Sequence, residues 1–282
     1  ERDPFDTPLS EGLVRAAKLL AGAGKLAGEL VWQHAYDQAI VIGGGVQHAR
    51  RDREKGFGVF SDVGICAENL MRRYGASRIL IVDTDAHAGD GIYAIFRRDP
   101  RVLTISIHQD PRTLYPGTGF IYQIGEGPGT GYSVNIPLVP GTSDMAYQSV
   151  MEEIFVPLAM EFAPEAILMI DGSDVHFTDQ ITDMALTFAG IRTIGRIVGE
   201  AAREVCQGRV VDFSGSGYST LPVVTPLGWL VSMAGVAALD FTPPEPQRPP
   251  PGLNRDQGLS ESRRTIKAVR RTLASYWRCF RT

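Results

Sequence analysis

Three aspartates and a histidine follow a short apolar stretch in the first half of the chain. Residues 79–82 are all aliphatic and mostly β-branched, which predicts a buried strand. The polar residues that come directly after it are Asp83, Asp85, His87 and Asp90. We expect Asp83 on one side of the chain and Asp85 with His87 on the other, so that one carboxylate and one imidazole converge on a point. Carboxylate and imidazole donors on one side suit a divalent metal such as zinc. The alternative for this stretch alone is a solvated acidic loop.

Three further predicted strands also end in residues that can do chemistry. The strands are expected at 38–42, 166–170 and 209–213, and the polar residues that follow them are Gln47, His48, Asp174, His176 and Tyr218. Ligands of open α/β sheets bind at the carboxyl ends of the strands. We therefore expect these side chains to converge on a single site.

The composition indicates a large α/β domain and excludes several function classes. The 282 residues are 44% hydrophobic, with a formal net charge of −4 and three cysteines far apart in sequence. A core of ample size is therefore possible. The net charge gives no global attraction to nucleic acid or to an anionic membrane. The dispersed cysteines favour a reducing compartment, and we expect a cytoplasmic protein. No apolar segment reaches the roughly 18–20 residues of a membrane span.

The order of predicted elements alternates between strands and helices. Strands are predicted at 38–42, 79–83, 102–107, 133–136, 166–170 and 209–213. Helices are predicted at about 10–30, 62–74, 92–98, 143–163, 187–205, 225–239 and 259–280. This alternation predicts an α/β three-layer sandwich, in which helices cover both faces of a mostly parallel sheet.

The carboxyl-terminal part of the chain is predicted to have its own organisation. Six prolines between Pro243 and Pro251 predict a stiff Pro-rich loop over 242–257. The preceding 1–241 would form the catalytic domain, and 258–282 an amphipathic helix packed on it.

Several motifs in this order resemble the zinc-dependent histone deacetylase family, which has the arginase-deacetylase fold. The matching segments are Asp6–Gly12, Gly44–Ala49, Gly56–Phe57, Asp83–Gly91, Tyr115–Gly119, Gly172–Asp174 and Gly215–Tyr218. The family normally has further sequence before the first of these segments. Because the chain also lacks an initiator methionine, we expect it to begin inside a longer gene product, whose N-terminal part could be a separate fragment.

The resemblance implies a catalytic centre with one metal ion. Asp85, His87 and Asp174 would hold a zinc ion and leave coordination positions for water and the substrate carbonyl. His48 would act as the general base and then as the acid that protonates the leaving amine. Asp90 would orient its other ring nitrogen.

The resemblance also assigns residues to the substrate. Tyr218 would donate its hydroxyl to the oxyanion of the tetrahedral intermediate. Phe57 and Tyr115 would form the aromatic walls of an acyl-lysine channel, although ordinary core packing is an alternative for both. Asp6 would be the rim carboxylate that binds the substrate backbone, with an N-cap or turn residue as the alternative. Asp83 with Ser106 and backbone carbonyls resembles a monovalent-cation site, which implies K⁺ as a structural ion.

The sequence departs from the family at two positions near the base. Gln47 stands where the family has a histidine, and an amide can neither become cationic nor relay a proton. Because His48 remains, we expect slower or pH-shifted turnover. Ala88 replaces a histidine outside the metal ligands and should change packing more than ligation. His176 is expected on the same side as Asp174, where it would line the mouth of the site or take over part of the lost imidazole function. The alternative is a histidine at the rim with a surface hydrogen bond.

The residues together predict a zinc-dependent amidohydrolase that removes an acyl group, in the first place acetyl, from a lysine-like amine. The substrate would be an acylated lysine or an acylated polyamine-like molecule, without a membrane or direct nucleic-acid partner. One alternative is a non-catalytic acyl-amine binder or scaffold, because of Gln47. Another is an arginase-type ureohydrolase, which needs two metals and further aspartates. The sequence leaves the oligomeric state open, a homo-oligomer included.

Overall fold

Six strands form a single sheet in the part of the chain that the structure describes. The computed structural model describes residues 7, 10–250, 252–253 and 257–281. The strands are β1 (Gln38–Ile42), β2 (Ile79–Asp83), β3 (Val102–Gln109), β4 (Ser133–Leu138), β5 (Ala166–Gly172) and β6 (Val210–Ser216). Their order across the sheet is β1-β6-β5-β2-β3-β4, and every neighbouring pair is parallel. The predicted parallel sheet is confirmed.

Helices follow most of the strands, as expected for parallel crossovers. They are α1 (Glu11–Trp32), α2 (Asp62–Tyr74), α3 (Asp90–Phe96), α4 (Asp144–Val150), α5 (Val156–Phe162), α6 (Phe188–Cys206), α7 (Val224–Val236) and α8 (Leu259–Leu273). A π-helical turn, Met151–Phe155, joins α4 to α5. The predicted single helix over 143–163 is therefore interrupted. Pro157 lies at the start of α5 and has no N–H for a regular helical hydrogen bond.

Two hydrophobic cores lie on opposite faces of the sheet. In β2, Ile79 and Ile81 belong to the core that includes residues of α1, α2 and α3, whereas Leu80 and Val82 belong to the core that includes residues of α4 to α8. This division is the alternation expected of a strand buried on both faces. The three layers place the carboxyl ends of the strands at one edge, where the site lies.

The last helix is shorter than the sequence pattern predicted. It ends at Leu273 instead of near residue 280, and a short 3₁₀ turn follows at Arg278–Phe280. The indole of Trp277 donates a hydrogen bond of 2.8 Å to the carbonyl of Gly131. The apolar side of α8 and of the turn after it packs into the core that also contains residues of α4 to α7. The residues in this core are Ile266, Val269, Leu273, Trp277 and Phe280. The division into 1–241, 242–257 and 258–282 stays a prediction.

None of the helices described is both long and apolar enough to cross a lipid bilayer.

Candidate active site

Two loops at the carboxyl edge of the sheet bring together two carboxylates and an imidazole. Asp85 and His87 lie just after β2, and Asp174 lies just after the neighbouring strand β5. Candidate ligand atoms of the three residues lie within 4.8 Å of one another. His87 Nδ1 is 3.0 Å from Asp85 Oδ1 and 3.0 Å from Asp174 Oδ2. Ligands about 2.0–2.2 Å from a tetrahedral zinc ion lie roughly 3.4 Å apart, so a small opening of this cluster accommodates the ion.

The electrostatics of these three side chains call for a positive charge between them. Burial alone would lower the pKa of His87, but its hydrogen bonds to Asp174 and Asp85 outweigh burial and raise it to about 11. Burial and the nearby charge of Asp85 raise the pKa of Asp174 to about 7. Burial alone would raise the pKa of Asp85, yet its hydrogen bond with His87 and the charge of His87 lower it. Two carboxylates and one imidazole with an open side fit a catalytic zinc ion.

His48 lies beside these residues and is paired with a buried carboxylate. Its Nδ1 is 2.8 Å from Asp90 Oδ1, the contact that the sequence predicted. Asp90 Oδ2 also accepts hydrogen bonds from Lys55 Nζ at 2.6 Å and from Arg50 Nη2 at 3.0 Å. Burial alone would raise the pKa of Asp90, but His48, Lys55 and Arg50 together lower it to about 2. Asp90 is therefore an anion that holds the His48 ring in one orientation.

The loop that carries His48 is fixed from both sides. The carboxylate of Asp62, the first residue of α2, accepts hydrogen bonds from the backbone N–H groups of Gly45 at 3.0 Å and Val46 at 2.9 Å. On the other side, Gly56 packs against the imidazole with φ of +57°, and a Cβ there would lie 2.3 Å from His48 Cδ2. Only glycine fits both this backbone conformation and this contact.

Tyr218 reaches the same cavity from the loop after β6. Its backbone N–H donates to Asp179 Oδ2 at 2.7 Å, and its carbonyl accepts from Gln180 Nε2 at 2.7 Å. Gly217 precedes it with φ of +142°, and a Cβ there would lie 2.0 Å from Ser173 Oγ. Burial and the charges of Asp85 and Asp174 raise the pKa of Tyr218, which keeps its hydroxyl protonated as a hydrogen-bond donor.

The cavity has a volume of about 740 Å³. The predicted site residues on its wall are Gln47, His48, Phe57, Asp85, His87, Tyr115 and Tyr218. Phe57 and Tyr115 are 66% and 44% exposed, so neither is a core residue. The Tyr115 ring lies 5.1 Å from the His48 ring, centroid to centroid. The aromatic wall therefore leads directly to the base.

Residues 2–232 match the family described as the histone deacetylase domain. This match covers most of the chain. The chain belongs to the histone deacetylase family.

Relatives and a solved structure agree with this assignment. A probable deacetylase of Archaeoglobus fulgidus is 39% identical over 282 residues, which cover 98% of this chain and 77% of the relative. The acetoin utilization protein AcuC of Bacillus subtilis is 35% identical over 243 residues, covering 85% of this chain and 62% of AcuC. The crystal structure of the HDA15 HD domain matches with a TM-score of 0.81 and 24% identity, covering 98% of this chain and 74% of that one, and shows the shared fold.

The pair predicted to bind K⁺ lies next to the predicted metal ligands of this deacetylase-family chain, since the N–H of Asp85 donates to Asp83 Oδ1 at 3.2 Å. Asp83 and Ser106 are aligned partners on β2 and β3. Asp83 Oδ2 is buried and has no hydrogen-bond partner among the described residues. Ser106 Oγ accepts from the N–H of Gly89 at 3.3 Å and is 2.9 Å from His108 Nδ1. Asp83 does not line the active-site cavity, whereas Asp85 does, because β2 ends at Asp83 and the chain leaves the extended conformation before Asp85. The bound K⁺ stays a prediction.

His176 does not lie where the sequence placed it. It is fully buried, its Nε2 is 2.8 Å from Glu245 Oε2, and it is not part of the cavity wall. The expectation of a residue at the mouth of the site is wrong because β5 ends at Gly172, so strand alternation no longer applies two residues after Asp174. Asp6 lies outside the described residues.

Sequence reasoning missed four residues that position the site. Lys55 and Arg50 share Asp90, Asp62 holds the turn before His48, and Asp179 holds Tyr218. The only signal for Lys55 was its place directly before the Gly56–Phe57 motif.

Proposed function

We propose that this chain is a zinc-dependent deacylase that hydrolyses the amide of an acylated lysine or an acylated polyamine-like amine, with acetyl as the first acyl group to test. The observation that carries the proposal is that one cavity is lined by His48, Tyr218, Asp85 and His87, and that Asp174 lies directly behind them, 3.0 Å from His87 Nδ1. A histidine base, a phenol donor and a metal-ligand set at one point are the parts that amide hydrolysis needs. The relative described as a probable deacetylase supports the same reaction.

Three residues would hold the metal, and the protein supplies the rest of the chemistry. A zinc ion held by Asp85, His87 and Asp174 would polarise the amide carbonyl and acidify water. His48, held by Asp90 through Nδ1, takes a proton from the attacking water at Nε2 and later gives it to the leaving amine.

Tyr218 stabilises the transition state. Its protonated hydroxyl donates to the oxygen that becomes negative as the carbonyl carbon turns tetrahedral. The Asp179 and Gln180 contacts fix the backbone on either side of this tyrosine, so little reorganisation is needed when that charge develops.

The cavity wall supports a substrate with an aliphatic stem. Phe57 and Tyr115 present exposed rings on the route to His48, and a methylene chain packs on such rings without losing polar contacts. Gln47 at the wall supplies no second titratable ring, so His48 carries both proton transfers alone.

The test measures zinc content and acetate release together. Wild-type protein should bind about one zinc ion per chain and release acetate from an acetyl-lysine peptide or from acetylated putrescine. Asp174→Ala should lose both zinc and turnover, whereas Asp240→Ala, a fully exposed carboxylate, should retain both. Zinc and substrate binding with no acetate release from either compound would refute the deacylase and favour an acyl-amine binder. Urea production with two metal ions per chain would favour a ureohydrolase.

A further inference from the structure

A second cluster of oxygen atoms lies inside the protein, between the sheet and α7. Its members are Asp171 of β5, Asp212 and Ser214 of β6, and Ser232 of α7. They are 3%, 0%, 0% and 1% exposed, respectively. Asp171 is the register partner of Ser214, and Asp212 is two residues before it, so all three side chains project from the same face of the sheet. Helix α7 packs on β5 and β6 at this face.

Within the described part of the chain, these polar atoms have only one another as partners. Both oxygens of Asp171, both of Asp212 and the hydroxyls of Ser214 and Ser232 are buried, and no group outside the cluster hydrogen-bonds to them. Within the cluster, the two hydroxyls and the Asp212 carboxyl group lie close to the Asp171 carboxylate. Two carboxyl groups buried side by side are costly, and six buried oxygen atoms with no partner outside their own group favour a ligand that satisfies them together.

The chemistry of the six atoms selects the kind of ligand. All of them are hard oxygen donors, with no nitrogen or sulfur among them, which favours a hard cation over zinc. Two carboxylates carry two negative charges, which one divalent ion neutralises. Ca²⁺ takes about six to eight oxygen ligands in flexible geometry, whereas Mg²⁺ usually keeps several waters, for which a closed interior has little room.

We propose that Asp171, Asp212, Ser214 and Ser232 form a second, closed metal site that binds Ca²⁺. The site is separate from the Asp85, His87 and Asp174 cluster and takes a different class of ion. Its place in the fold gives it a structural task. Asp171 lies three residues before Asp174, and Asp212 lies six residues before Tyr218. An ion that ties β5 to β6 therefore holds together the strands that lead to a metal ligand and to the phenol donor.

The experiment titrates Ca²⁺ into chelator-treated protein in buffer that contains enough Zn²⁺ to saturate the other site. Equilibrium dialysis with radioactive calcium should give one Ca²⁺ per chain, and the midpoint of thermal unfolding should rise with Ca²⁺ concentration, because the ion binds only the folded state. Asp212→Asn should abolish both responses. No substrate is used, so the outcome is independent of the deacylase reaction.

A pair of serine variants provides the matched control. Ser232 and Ser262 are both 1% exposed, both lie on helices, and neither hydroxyl hydrogen-bonds to a described group outside the cluster of Asp171 and Asp212. Ser232→Ala should weaken Ca²⁺ binding at least tenfold, and Ser262→Ala, on α8 outside the cluster, should leave it unchanged. This comparison remains decisive if Asp212→Asn fails to fold.

Three results would overturn the proposal. One is wild-type protein that neither binds Ca²⁺ nor gains thermal stability from it. Another is Ca²⁺ binding that survives in Asp212→Asn or is equal in the two serine variants. The third is a wild-type protein whose stability does not change with Ca²⁺, together with an Asp212→Asn variant that is more stable than the wild type. This result would show that the two carboxyl groups share protons and bind no ion.

Discussion

Two histidine–carboxylate pairs with the same nitrogen–oxygen distance lie in very different surroundings. His48 is 2.8 Å from Asp90, and His176 is 2.8 Å from Glu245. His48 lies on the cavity wall, with the ring of His87 centred 6.1 Å away. His176 is enclosed, with aromatic rings at 4.4 Å and 4.7 Å and its second nitrogen 2.9 Å from a threonine hydroxyl. The pair alone therefore does not make a proton shuttle, because the second nitrogen must also face the reacting atoms.

The enclosed pair has a structural task. Glu245 belongs to the Pro-rich segment, and its second carboxylate oxygen accepts from the N–H of Phe188 at 2.7 Å. This carboxylate therefore joins the Pro-rich segment to both His176 and the start of α6. We expect substitutions at the two pairs to separate activity from stability.

Loss of the base on the cavity wall, His48, should have the largest effect. His48→Ala should lower kcat by about 10²–10⁴-fold, because no other described group on the cavity wall is placed to perform both proton transfers. His34→Ala is the control, since His34 is exposed and contacts Arg209 instead of the cavity. Steady-state acetate release measures both variants. Full activity in His48→Ala would remove the distinction between the pairs.

Loss of the phenol donor should come next. Tyr218→Phe should lower kcat by about 10²–10³-fold, the usual cost of one oxyanion donor, with a smaller change in KM. Tyr122→Phe is a suitable control, because Tyr122 is 74% exposed and is not on the cavity wall. Equal kcat for Tyr218→Phe and wild type would mean that the hydroxyl does not contact the developing charge.

A second imidazole beside His48 tests whether the lack of a neighbouring titratable ring slows turnover. Gln47→His should raise kcat by a few fold up to about tenfold, if a neighbouring titratable ring supports the base. Turnover measured across a range of pH values would show the gain. If the substitution leaves the rate unchanged or inactivates the protein, the departure at this position has another cause.

The cations around Asp90 should set the pH dependence of turnover by the His48–Asp90 pair. Lys55→Met removes one of the partners that lower the pKa of Asp90, so this pKa should rise and the carboxylate should lose its charge at a higher pH than in the wild type. A protonated Asp90 no longer holds the His48 ring as the carboxylate does, so the acidic limb of the kcat/KM profile should move to higher pH, by roughly half to one unit. Arg53→Met, whose only described ion pair is with the exposed Asp52, should leave the limb in place. A shift to lower pH would contradict the assigned role of Lys55.

The smallest effect on activity is expected at the enclosed pair. Glu245→Gln should change kcat less than about threefold, yet lower the free energy of unfolding by about 1–3 kcal/mol, because the amide cannot accept both hydrogen bonds as the carboxylate does. Urea unfolding and acetate release on the same preparation measure the two quantities. A loss of activity close to that of His48→Ala would show that the enclosed pair takes part in catalysis.

The contrast between the site around His48 and the enclosed His176 also shows what could be predicted from the sequence. The strand at 79–83 was predicted with its observed bounds, because a short aliphatic run before charged residues has few other structures available. The convergence of Asp85, His87 and Asp174 followed from motifs at the ends of adjacent strands. The partner of His176 could not be predicted, because Glu245 is 69 residues away in sequence and the contact depends on the path of the Pro-rich segment.

Other differences between the predicted and the observed structure have local causes that the hydrophobic periodicity of the sequence does not reveal. The π-helical turn before α5 follows from a proline within an otherwise regular apolar pattern. Lys55 reaches Asp90 because Gly56, in the left-handed region, turns the chain against the His48 ring. The sequence predicted Asp212 only as part of a strand and assigned Asp171 to no element, since the face that these two carboxylates share depends on the register between β5 and β6.

The most direct test of the central claim is a crystal structure of the zinc-loaded protein, with anomalous scattering recorded at the zinc absorption edge. The predicted result is a zinc peak about 2.0–2.2 Å from ligand atoms of Asp85, His87 and Asp174, with the His48 ring and the Tyr218 hydroxyl facing it across the cavity. A zinc peak held by other residues, or Tyr218 and His48 turned away from the ion, would contradict the account.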